Sequence, residues 1–152
     1  MLVDPGLFTK LQADYVTKHG VAGVSLNDYR RIVAQDLENL LNTKRGPHVD
    51  GEDSWKYLPG SIWSFGVCDF SGFYFGSVLD LNEVCHRVKT AIILHEPRLK
   101  EVTVDVASGA VRSVGGLGMT ISAVLIAPGV SEGVQFSAFL DIVNKKYAVA
   151  AA

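Results

Sequence analysis

Signatures of metal and redox chemistry are scarce in this chain. Its two cysteines, Cys68 and Cys85, form no Cys-x-x-Cys, and its four histidines, His19, His48, His86 and His95, are scattered. No zinc-ligand spacing results, so neither a metal nor a cofactor is expected. Gly-x-Ser-x-Gly is absent too; Gly60 to Gly66 holds glycines and serines at other spacings, which removes the nucleophile elbow of a hydrolase. Charge of one sign is missing: 14 Lys+Arg against 16 Asp+Glu leave a net −2 and a pI near 6.0, and Lys44-Arg45 adds two cations in a turn. Without a basic cluster there is no electrostatic footprint for nucleic acid. No apolar run approaches the roughly 18 residues of a membrane span, and Met1 to Lys10 lacks a basic segment followed by an apolar one. The expectation is a cytoplasmic chain with no membrane insertion. Two cysteines fit a reducing compartment, with Cys85 acting as a small hydrophobe on a helix stripe.

What is present is a globular composition, 48% hydrophobic and 20% charged over 152 residues, which fits one domain spanning 1–152. The most informative stretch runs from Ile92 to Val106. Leu81, Val84, Cys85, Val88, Ala91 and Ile92 recur at helical spacing, whereas Val102, Val104 and Val106 alternate with Glu101, Thr103 and Asp105. The switch falls at Glu96-Pro97-Arg98. Proline donates no amide hydrogen bond and turns the residue before it away from helical dihedrals, so the helix ends there.

Other elements follow from the same patterns. Asp4-Pro5 with Leu7, Phe8, Leu11 and Tyr15 predicts a short first helix closed before Gly20. Ser25 and Asp28 start a second, from about Leu26 to Asn42, with Tyr29, Val33, Leu37, Leu40 and Leu41 inward and Arg30, Arg31, Gln35 and Glu38 on a solvated face. From His48 to Gly76 the pattern dissolves into polar residues and rings, among them Trp55, Tyr57, Trp63, Phe65, Phe70, Phe73, Tyr74 and Phe75. So many rings either fold over the helices or meet a partner. Asp80 and Glu83 suggest the capped start of the third helix.

The last third reads as β. Strands are expected at Leu99 to Val106, Met119 to Ile126, Val134 to Ile142 and Lys146 to Val149, with residues 108–118 as a turn region and residues 145–152, ending in AVAAA, as a frayed end. The expected fold is α+β: N-terminal helices packed on a C-terminal antiparallel sheet of about three or four strands.

Three clusters invite chemical readings. Gly115 to Gly118 resembles a phosphate loop, but no helix follows to hold the anion, so turn glycines are expected. Asp50, Glu52 and Asp53 supply carboxylates for a peptidoglycan-cleaving reading, which requires two of them across a cleft. Glu96 and Arg98 flank the proline. They either pair with each other or with Lys89 and Glu101, worth about 0–1 kcal/mol at a surface, or Arg98 offers its planar fork to another chain while Glu96 orients it.

Three segments carry a resemblance: DLENLLNTKR at 36–45, HEPRLKEVTVDV at 95–106 and VQFSAFLDIVNKKYAV at 134–149. In this order they resemble the TssE family, baseplate wedge proteins of type VI secretion systems, similar to the contractile phage tail wedge protein with the same Glu-Pro-Arg motif. The resemblance implies a structural, non-enzymatic α+β subunit at the inner face of the cell envelope. Its partners would be TssF-, TssG- and TssK-like wedge proteins and TssB/TssC-like sheath proteins, whose assembly it helps begin. Glu96, Pro97 and Arg98 carry the motif and are the expected partner-binding residues. His95 and Ser137 depart from the pattern, standing where family members often have an aromatic and an acidic residue. A phage-tail-like particle, a lysozyme-like enzyme and a stand-alone binding module are the other readings.

Overall fold

The computed structural model describes residues 25–45, 60–70, 72–75, 77–107, 116–127 and 129–152. Within them two helices precede a four-stranded antiparallel meander in the order β1-β2-β3-β4, an α+β arrangement as expected. The expected helix near Asp4 to Gly20 and the carboxylates Asp50, Glu52 and Asp53 lie outside the described residues.

Helix α1, Leu26–Asn42, has the predicted bounds. The Ser25 hydroxyl oxygen accepts from the Asp28 N–H at 3.2 Å and its O–H donates to the Asp28 carboxylate at 2.6 Å, so a donor orphaned at the helix start is satisfied locally. Helix α2, Val78–His95, begins before the expected Asp80 start. Its N-cap position is Ser77, and the Asp80 carboxylate reaches back to accept from the Tyr74 N–H at 3.0 Å. The acid therefore fastens the preceding loop instead of opening the helix.

Strands β1 (Leu99–Val106), β2 (Gly116–Ala127), β3 (Val130–Asp141) and β4 (Lys146–Ala151) bury one face against the helices. Alternation does this: Leu117, Met119, Ile121, Ala123 and Leu125 of β2 and Val134, Phe136, Ala138 and Leu140 of β3 all point inward. On β1 both Leu99 and Val102 are buried, which a regular strand cannot give at three-residue spacing. A register shift between Lys100 and Thr103, with Glu101 at φ 52°, supplies the extra residue of a bulge. α1 packs along β4 and α2 along β1.

Two readings of the β region change. The glycines at 116 and 118 belong to β2 and not to a turn. At Gly116 a Cβ would lie 2.0 Å from the tip of the half-exposed Phe139 ring, so a larger residue there needs that ring to swing away. The chain end is also more ordered than expected, since β4 continues through Ala151, paired with Phe136. The β2–β3 connection contains Gly129 at φ 72°, the left-handed conformation a tight turn there needs.

The aromatic segment folds over the helices at Phe70, which is buried, and at Phe65, Phe73 and Phe75, which are partly buried against the core. Trp63 and Tyr74 remain exposed. Trp55 and Tyr57 lie outside the described residues.

Candidate partner-binding site

The chain turns from α2 into β1 through a corner fixed by its own backbone. Glu96 closes the helix by donating its N–H to Ile92 O at 2.8 Å, Leu99 N–H returns to Glu96 O at 3.1 Å, and Arg98 O accepts from Ile126 N–H of β2 at 2.8 Å. Pro97 sits exposed at the apex.

Around this backbone the charges converge. Glu96 is buried, only 5% exposed, and the Arg98 guanidinium lies across it: Nε donates to Glu96 Oε1 at 2.6 Å and Nη2 to Oε2 at 2.5 Å. Nη2 also donates to Asp36 Oδ2 of α1 at 2.6 Å, and the guanidinium lies 5.9 Å from the centre of the Tyr29 ring. The fork is thus bidentate on one carboxylate and bridged to a second. Desolvation alone would pull the Arg98 pKa down. The hydrogen bonds and charges of Glu96 and Asp36 outweigh it and hold the group above its ordinary value, so the cation is fixed at any accessible pH.

The two charges flanking the proline therefore pair with each other. Among the described residues Arg98 makes no ion pair with Glu101, nor Glu96 with Lys89. The second acceptor, Asp36, was not singled out by sequence reasoning, although a signal for it exists. Tyr29, Val33, Asp36 and Leu40 fall at helical spacing, so Asp36 is a carboxylate set on the rim of the buried stripe, a position that calls for a cationic partner.

A 3-10 turn, Ile62–Ser64, is fastened behind the corner. His95 Nε2 donates to Ser64 O at 2.9 Å, and its ring meets Phe65 edge-on at 5.2 Å. Between α1 and the corner lies a groove of about 670 Å³, lined by Ile32, Gln35 and Asn39 on one side and by Phe65, His95 and Arg98 on the other. Trp63, half exposed, and Ile62, 94% exposed, project from the same 3-10 turn.

Among the described residues no group of three or more His, Cys, Asp or Glu could hold a metal, and no helix is long and apolar enough to cross a membrane. Burial, with the charge of Asp105, pushes the Cys85 thiol up, which suits a packing residue and not a nucleophile.

No curated protein matches the chain. The family model of the baseplate wedge protein gp25, however, matches residues 27–129, which run from α1 through the Glu96 to Arg98 corner to the turn after β2. The third resembling segment, 134–149, lies beyond the matched span. A match over more than half of the chain places it in the gp25 baseplate wedge family, whose type VI secretion member is TssE, and hence among the structural components of phage-tail-like baseplates.

Proposed function

We propose that this chain is the TssE-type wedge subunit of a type VI secretion or closely related contractile system, joining TssF-, TssG- and TssK-like proteins through the Glu96-Pro97-Arg98 corner. It is a structural subunit, not an enzyme, and it assembles at the inner face of the cell envelope. The observation that carries the reading is the arrangement of Arg98. Nε and Nη2 are committed to Glu96 and Asp36, while Nη1 has no partner among the described residues and the side chain keeps 25% exposure beside the groove. The committed donors hold the corner rigid, and Nη1 is left to offer its N–H groups in fixed directions, which suits a carboxylate oxygen or a backbone carbonyl of another chain.

A second part of the reading concerns the sheath. An extended arm of a TssB/TssC-like subunit adds as a strand to an edge of the meander, where main-chain groups supply affinity and alternate side chains supply specificity. Co-expression with tagged TssF- and TssG-like proteins tests the wedge contact. Wild type should be captured, and Arg98→Lys, which keeps a charge opposite Glu96 but loses the fork, should be captured about tenfold less while retaining its circular dichroism spectrum. Equal capture of both would remove the corner from the interface.

A further inference from the structure

The two edges of the sheet differ in a way that decides where a strand can join. Antiparallel pairing with β3, with Ala152 N–H donating to Gln135 O at 2.9 Å, turns the main-chain groups of Tyr147 and Val149 away from β3. Side chains of α1 meet both groups of Tyr147 and the N–H of Val149. The Asn42 amide pairs with Tyr147 as a peptide group would, Oδ1 accepting from its N–H at 2.9 Å and Nδ2 donating to its C=O at 2.9 Å. Glu38 Oε2 accepts from the Val149 N–H at 2.9 Å. The fit is commensurate: four helical residues rise about 6 Å and two strand residues about 6.8 Å, so side chains one turn apart reach successive outward peptide groups.

On β1 the Ala107 N–H donates to Gly118 O at 3.0 Å, and Asp105 and Thr103 stand opposite Thr120 and Ser122. This pattern turns the main-chain groups of Val104 and Val106 outward. Among the described residues no side chain or backbone group bonds to them there. Val104 and Val106 are partly buried against the core, while Glu101, Thr103 and Asp105 are exposed. Asp105 has only Thr120 beside it on β2.

We infer that Asn42 and Glu38 lock the β4 edge, so that a partner strand joins this sheet only along β1, and that β1 takes an extended segment alternating apolar with Lys or Arg residues. The inference rests on the strand-addition reading above and assigns it an edge, a lock and a partner chemistry. Apolar side chains of the segment continue the layer of Val104 and Val106; its cations face Glu101 and Asp105 across the strand pair. Among the described residues, one edge is met by side chains and the other is open, which makes the sheet a one-sided template.

Amide exchange on the full chain, with and without an eight-residue peptide alternating Val and Lys, tests this. In wild type the peptide should slow exchange at Val104 and Val106 and leave Tyr147 and Val149 unchanged. In Glu38→Ala/Asn42→Ala, Tyr147 and Val149 should exchange about tenfold faster alone and become protected when the peptide is added. If the double variant does not fold, Glu38→Ala frees only the Val149 N–H and is read in the same way; Glu38→Gln keeps an acceptor and should behave as wild type. Protection of Tyr147 or Val149 by peptide in wild type overturns the lock, as does a folded double variant whose β4 takes no peptide. Equal protection of β1 by a Val/Glu peptide overturns the charge selection. Failure of any peptide at β1, with β4 of the double variant still taking it, removes the strand-addition reading at β1 and leaves the lock standing.

Discussion

At the scale of single residues, Arg98 and Glu96 show how an apparently superficial motif becomes a structural one. A charge pair around a proline corner reads in sequence as a weak surface interaction, because nothing local reveals that Glu96 is covered. Arg98 lies across it and is itself held by Asp36 of α1, from a distant part of the chain. Arg98→Ala would leave a buried carboxylate without its cation and should cost about 3 kcal/mol in urea unfolding, whereas Arg98→Lys should cost less. A second residue behaves in the opposite sense. The Tyr147 hydroxyl is buried with no hydrogen-bond partner among the described residues, so Tyr147→Phe should be neutral or stabilising by up to about 1 kcal/mol, measured in the same way. Neither Asp36 nor this hydroxyl stands out in a residue-by-residue reading, since each acquires its role from a side chain or a cavity far away in sequence.

Elements were more legible than their contacts. The bounds of α1 and β1 follow from periodicity and from the local chemistry of Ser25 and Pro97, both of which act within a turn of themselves. β2 begins before its expected limit because Gly116 was read as part of a turn, yet a glycine pairs in a strand where a ring such as Phe139 lies over it, and β3 also begins earlier, at Val130. Glu38 was placed on a solvated helix face; it bonds to β4 instead, and Arg30 of the same face pairs with Glu132. A helix face is solvated only where no strand edge lies beside it, and sequence periodicity does not see edges. At this scale Asn42→Ala, which removes both bonds to Tyr147, should lower stability by about 1–3 kcal/mol, read by chemical denaturation. The bulge offers a further test: Glu101→Gly relieves a left-handed residue at φ 52° and should be tolerated, while Glu101→Val should be clearly destabilising.

At the scale of the whole molecule, the α+β order of two helices and a meander was readable because α2 and β1 meet at a single abrupt change of period. The family was readable because the segments around Asp36 and the corner are also those that position the candidate site. Solvent pH acts on the molecule through its buried neutral acids. Burial raises the pKa of both the Cys85 thiol and the Tyr147 phenol above their unfolded values, so the folded state holds these protons more tightly. The resulting stability is complete below the unfolded values, about 8.5 and 10, and is lost as pH rises through and beyond them. Melting temperature should therefore fall on the alkaline side, and Tyr147→Phe with Cys85→Ala should flatten that limb. The account as a whole depends on the corner being both a brace and a contact. The most direct measurement is capture of the chain by tagged TssF- and TssG-like proteins in parallel for wild type and Arg98→Lys, with circular dichroism on each. Capture of wild type with about tenfold loss in a folded variant is the predicted result; equal capture, or none by folded wild type, would contradict it.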